Sequence, residues 1–359
     1  MKITDKYILS KFFYILAFSL LAFIIVVLIV DIIENIDKFI DNKAPVYLIA
    51  QYYILYLPFI TVLVIPVAVL LATMFTIGGL SRYNELTIMK ASGMSLYRLS
   101  VPLLTSGFII SLIIIIFSDF VMVPAEAKRD WIKKTQIEHR ADTQGLLLTN
   151  VIKPGKDGWV IFARSYNEKT KTVEGALVQK IKSNRIEASI RANTMVWADS
   201  GWILTGAVKR IFDGDKEISF NKYDTLFASF LSQTPELMSH KAKKPRDTRF
   251  FELLELIQLK KIMGQDTARD RVELYLKFSF PFINFIIILL GIPLASNPKR
   301  AGGSVGLGLS VIISFLYFVI LRAGQSFGYN KELSPLLSVW IGNIIFFAIG
   351  AIMFFKARK

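Results

Sequence analysis

Long uncharged stretches recur along this chain and set its architecture. Residues 12–30 lie between Lys11 and Asp31 without a charge, and residues 99–118 lie between Arg98 and Asp119. The stretch 44–81 holds room for a span over roughly 52–80 and a segment leading into it. Three further runs, 278–298, 301–321 and 333–355, fill the C-terminal part. A bilayer core about 30 Å thick takes about 20 apolar residues at 1.5 Å each. The pattern therefore predicts six transmembrane helices in two groups of three. The first run is too long for a cleaved signal peptide and lacks a small-residue cleavage site after it.

Between the two groups the periodicity changes. Along residues 185–197, Ile186, Ala188, Ile190, Ala192, Thr194 and Val196 alternate with Arg185, Glu187, Ser189, Arg191 and Asn193, the period of a half-buried strand. Turn signals recur at Pro154-Gly155-Lys156-Asp157-Gly158, Asn167-Glu168-Lys169, Ser183-Asn184, Asp199-Ser200-Gly201 and Asp213-Gly214-Asp215. Strands joined by tight turns predict an all-β insert, a sandwich or jellyroll. After about Pro235 the spacing becomes helical. Phe250, Leu253, Leu254 and Ile257 share a face, Asp247 or Thr248 can cap the start, and Gly264 can end it. The charged linker before it, with Lys241, Lys243, Lys244 and Arg246, reads as a solvated connector. The expected domains are residues 1–118 with a loop at 81–98, a β domain at 119–235, a linker and amphipathic helix at 236–277, and the last three spans at 278–359.

Charge sets the orientation. The chain carries a formal +15, but its Lys and Arg are divided among short caps of the spans and a mixed-charge middle, which argues against nucleic acid as a partner. With the N-terminus inside, the inner caps hold Lys2, Lys6, Lys11, Arg82, Lys90, Arg98, Lys299, Arg300, Lys356, Arg358 and Lys359 against Asp5 and Glu85 alone. The short outer loops hold Asp31, Glu34, Asp37, Asp41 and Glu332 against Lys38, Lys43, Arg322 and Lys331. The positive-inside rule then places both termini in the cytoplasm and the β domain outside.

Several chemistries are missing. There is no GxxxxGK[ST] phosphate loop, so ATP is not bound by that route. The two histidines, His139 and His240, form no metal pattern, and the absence of cysteine removes thiol and thiolate-metal chemistry. No Asp, Glu, Lys, Arg or His lies inside the six runs, where an ion-coupled transporter usually needs one. The sequence predicts neither catalytic residues, metal nor cofactor, and any energy must come from a partner.

The loop between the second and third spans reads Ser81-Arg82-Tyr83-Asn84-Glu85-Leu86-Thr87-Ile88-Met89-Lys90-Ala91-Ser92-Gly93 and predicts a short helix ended by Gly93. Arg82, Glu85, Leu86, Met89, Ala91, Ser92 and Gly93 resemble the R-x-x-E-L-x-x-M-x-A-S-G loop of LptF and LptG, the permease subunits of the lipopolysaccharide export ABC transporter. The resemblance covers nearly the whole chain, including Gly264, Glu273, Lys277 and the proline-containing fourth span at Pro281. The start, Asp5-Lys6-Tyr7-Ile8, is more similar to LptG.

That resemblance implies a bacterial inner-membrane permease with a periplasmic β-jellyroll. It implies that Arg82, Glu85, Leu86, Met89, Ser92 and Gly93 dock an LptB-like cytosolic ATPase, the alternative for Glu85 being a plain pair with Arg82. Other implied partners are a homologous LptF/LptG subunit, LptC/LptA-like β-jellyroll proteins, and lipopolysaccharide or a related glycolipid. The small stripe Gly302, Gly306, Ser310 and Ser314 would face the partner subunit beside a gate, or pack within the chain. Lys38, Lys43, Lys128, Arg129, Lys133 and Lys134 are candidates for lipid phosphates, ordinary interfacial charge being the alternative for each. Ile186, Ile190 and Ala192 are candidates for an acyl groove. The acidic outer end of the first span, Asp31, Glu34 and Asp37, departs from basic residues found there in LptG proteins. The rivals are a permease of another lipid or lipoprotein ABC system, and a non-transporting membrane anchor whose β domain binds a protein.

Overall fold

A computed structural model describes residues 3–138, 147–182, 185–198, 201–214, 216–239, 245–262, 265–296 and 303–357. Two compact units divide the chain: Met1–Lys133 with Pro245–Ile257 and Asp266–Lys359, and Lys134–Lys244 with Gln258–Gln265.

Among the described residues, six helices are long and apolar enough to cross a membrane. They begin with α1 (Ile3–Asp41) and α2 (Val46–Arg82), which are separated from α4 (Leu96–Phe117) by the short helix α3 (Glu85–Ala91). Beyond α4 the chain stays helical through a π turn, α5 (Val123–Trp131) and a second π turn ending at Ile137. The boundary expected after residue 118 therefore falls inside a continuous helical segment, and the first strand begins only at Leu147. The charge of Asp119 ends the apolar run but not the helix, because Asp119 is paired with Lys277 at 3.0 Å.

The second group is α8 (Ala268–Ala295), α9 (Gly303–Tyr329) and α10 (Pro335–Lys356). The core of this unit lies along α2 and α8, where Val69, Leu70, Ile77, Ile287 and Ile288 are fully buried. Pro281 interrupts the ladder of α8, and polar side chains take up nearby carbonyls. Asn343 donates to the Ser279 carbonyl at 2.7 Å, Asn284 donates to that of Pro281 at 2.9 Å, and Tyr317 donates to Asn343. Before α8 lie α6 (Pro235–Ser239) and α7 (Phe250–Ile262). α7 buries Leu253 and Ile257 against Leu274, the face read from the sequence. Gly264, the expected terminator, lies outside the described residues.

The second unit is a single antiparallel sheet in sequence order: β1 (Leu147–Pro154), β2 (Trp159–Asn167), β3 (Thr172–Lys182), β4 (Arg185–Ala198), β5 (Gly201–Asp213) and β6 (Lys216–Ala228). Each turn signal falls between two successive strands. The expected insert is thus present as an all-β domain, a six-stranded meander.

One detail of the alternation is corrected. Ile190 and Ala192 face inward, but the next inward residue is Met195, not Thr194 or Val196, and Val196 is 39% exposed. The same three-residue step occurs in β2 (Ala163 to Tyr166), β3 (Val173 to Ala176) and β5 (Leu204 to Ala207). The registers place Arg164, Gly175, Asn193 and Gly206 on one transverse line. Gly175 and Gly206 have φ of 63° and 61°, a backbone that side chains resist. A Cβ on Gly206 would stand 2.6 Å from the Asn193 amide nitrogen. These four strands change phase together, so register survives while the inward face shifts by one residue. The interior is filled: after β6, Leu231 and Met238 are buried in it, and the buried Trp202 indole donates to the Gln233 carbonyl at 2.6 Å.

Candidate functional site

At one end of the spans the predicted loop forms α3. Asn84 adopts a left-handed conformation (φ 57°) that breaks the chain away from α2. At the far end Gly93 (φ 87°) donates to the Lys90 carbonyl at 2.9 Å, and Met94 donates to that of Met89 at 3.1 Å. This double closure is the Schellman motif that glycine makes possible. The Ser95 side chain then accepts from the Arg98 N–H and starts α4. Leu86 is buried (3% exposed) and Met89 packs on the core, which fixes the rotation of the helix. Burial of Lys90 pulls its ammonium below its ordinary pKa.

That rotation turns Tyr83 and Ile88 outward, 70% and 67% exposed. Such bulky apolar groups at the tip of a loop form a surface suited to a protein partner. The sequence reading did not single them out. Glu85 does not pair with Arg82; it accepts from Tyr7 Oη at 2.8 Å and from Lys11 Nζ at 3.2 Å, both on α1. Arg82 instead lies near the Tyr83 ring, and Ser92 caps back onto the Met89 carbonyl.

At the opposite end of the spans is a cavity of about 100 Å³, lined by α2, the π turn after α4, α8, α9 and the segment before α7. Its apolar wall includes Phe59, Val62, Leu276, Phe280 and Phe318, and its charged rim is Arg246, Glu273, Lys277 and Arg322. Lys277 is paired with Asp119, whose Oδ1 also accepts from the Phe250 N–H at 2.8 Å. Glu273 accepts from the Tyr329 hydroxyl, Arg322 donates to Gln325 at 2.9 Å, and Arg246 stands 5.1 Å from the Phe59 ring centroid. The rim carries three cations against one carboxylate. Charge-assisted hydrogen bonds from guanidinium groups are the strong ones for carboxylate and phosphate.

The residues expected to meet lipid phosphate are dispersed. Arg129 is bound to Glu126 at 2.6 Å and stacked 4.0 Å from the Tyr56 ring centroid, so it serves its own bundle. Lys133 stands 5.8 Å from the Tyr52 centroid, and Lys38 donates to Asn35. Lys43 and Lys128 are exposed, and Lys134 falls in the second unit. Of the small stripe, Gly302 lies outside the described residues. Ser310 and Ser314 are buried, and a Cβ on Gly306 would stand 3.7 Å from Met74 of α2. The stripe packs within the chain, and the opposite face of α9, with Ile312 and Phe315, is the exposed one. Ile190 and Ala192 are in the filled interior of the sheet, whereas Ile186 lines an open hollow of about 820 Å³ with Arg185, Phe212, Lys261 and Ile262.

Six spans in two groups of three and an inserted β domain define a multi-pass membrane protein. The family model of the lipopolysaccharide export system permease LptF/LptG matches residues 6–356, and the chain belongs to that family. The permease protein LptF of Escherichia coli K12 is 21% identical over 362 residues, covering 93% of this chain and 91% of that protein. LptF of Shigella flexneri matches equally. The family covers both LptF and LptG, so this chain is a lipopolysaccharide export permease subunit of the inner membrane.

Proposed function

We propose that this chain is the non-catalytic membrane subunit of an ABC exporter, driven by a separate cytosolic ATPase and paired with a homologous permease. The observation that carries this reading is α3. It is closed at its far end by Gly93 and anchored through Leu86, and it leaves Ile88, with Tyr83 just before it, outward in the loop that resembles the family's ATPase-docking motif. Basic residues at the inner caps orient this loop to the cytoplasm and the β domain to the periplasm. ATP binding would draw the loop, narrow the space between the paired permeases and move a lipopolysaccharide or related glycolipid outward. The rim of Arg246, Lys277 and Arg322 is the favoured contact for a phosphate of that amphiphile, and the hollow at Ile186 for its acyl part. LptC/LptA-like β proteins would receive it. A photo-crosslinking residue at Ile88 tests the reading in cells: it captures a cytosolic ATPase subunit, and capture of none contradicts the proposal.

A further inference from the structure

The end of α1 that lies beside the loop holds α3 and the start of α4 through a small set of polar side chains. Tyr7 and Lys11 are four residues apart and share a face of α1. The Tyr7 hydroxyl donates to Glu85 Oε2 at 2.8 Å, and Lys11 donates to Oε1 at 3.2 Å. The Lys11 ammonium also stands 4.3 Å from the Tyr7 ring centroid, so carboxylate, cation and ring form one cluster. Asp5, about 200° around the helix from Tyr7, accepts from Arg98 in the first turn of α4 at 2.9 Å. The segment is thus gripped on two faces, once at the first residue of α3 and once beyond α3, in the first turn of α4.

Farther along, α1 packs on its bundle with one side only, Leu20 and Phe23 lying against the core. Ile8, Phe12 and Leu16 are buried beside the two ion pairs, and Asn35 and Phe39 are buried near the other end. Between them Phe18, Leu21, Ile25, Val26, Ile29 and Val30 are exposed. A helix held at its loop end by two ion pairs, with one side of its middle exposed, follows what the loop does.

We infer that the Glu85–Lys11–Tyr7 cluster and the Asp5–Arg98 pair form a clamp that transmits displacement of α3 to α1. The inference rests on the ATPase reading above and adds the route inside the chain. Asp5, Tyr7, Lys11 and Arg98 are positioning residues: they act on α1 through α3, not on lipid or nucleotide.

The test uses the full permease–ATPase complex in lipid nanodiscs loaded with lipopolysaccharide. It reads ATPase subunit retained, and ATP hydrolysed per lipid released. Lys11→Glu keeps the ATPase bound but raises the ATP spent per lipid by about tenfold, within the range of coupling between two sites of one protein. Lys11→Arg, which keeps the charge, stays near wild type. Asp5→Arg alone gives the same loss, and the exchanged pair Asp5→Arg with Arg98→Asp, which leaves the residues of α3 unchanged, recovers most of it. A Lys11→Glu complex as well coupled as wild type overturns the clamp and leaves the ATPase reading standing. So does an exchanged pair no better than the single variant at equal ATPase retention. A wild-type chain that retains no ATPase overturns both.

Discussion

Asp119 shows at the scale of one residue how a charge is accommodated where the apolar run ends. Its Oδ1 accepts from Lys277 at 3.0 Å and from the Phe250 N–H at 2.8 Å, and both side chains of the pair are largely buried. Removing one partner leaves a cation and a backbone donor without compensation, which costs about 3–5 kcal/mol for a buried pair. Asp119→Ala is therefore expected to lower the thermal midpoint of the purified chain in detergent. Asp119→Leu with Lys277→Met is expected to restore much of it, because no stranded charge remains. A single variant as stable as wild type would show that the pair is solvated. None of this was legible in the sequence, since Asp119 and Lys277 are 158 residues apart and no periodicity links them. The same holds for Glu85, whose partners Tyr7 and Lys11 lie 78 and 74 residues away.

At the scale of the element, local pattern carried far and failed where a neighbour decides. The six spans, the helix at 250–262, the turns between strands and the glycine ending α3 were all legible, because run length, periodicity and turn chemistry are local properties. The phase change in β4 was not. It is set by Gly175 and Gly206 on the strands either side of Asn193, so alternation read along one strand continues past it. The α9 stripe shows the same limit: small residues mark a close helix approach but not whose helix approaches. Here it is α2 of the same chain. The strand correction also moves the expected lipid contact. Ile186 borders the open hollow, while Ile190 and Ala192 lie in a filled core. With lipopolysaccharide and ATP present, a photo-crosslinker at Ile186 is expected to capture lipid several-fold more than one at Ile190. Equal or reversed labelling would mean that the sheet opens during transport.

At the scale of the whole molecule, the account depends on which side of the membrane each end of the spans faces. Basic residues gather at the caps that include Arg82, Lys90 and Arg98, and acids gather at the short loops of the other side. A reporter active only outside the cytoplasm is expected to work when inserted at Asp157 and to fail at Asn84. Activity at Asn84 would place α3 on the wrong side for a cytosolic ATPase. The central claim is that α3 docks that ATPase and couples it to lipid export, and Ile88 tests it with least risk to the fold. It is 67% exposed and contributes little to the core, so a surface change there usually stays within about 0.5 kcal/mol of stability. A charge placed in a docked apolar contact is costly by comparison. The measurement is ATP-driven lipopolysaccharide release by the purified complex carrying Ile88→Asp, alongside the ATPase retained and the thermal midpoint of the permease. The account predicts an unchanged midpoint with ATPase retention and release both largely lost; retention and release at wild-type levels would contradict it.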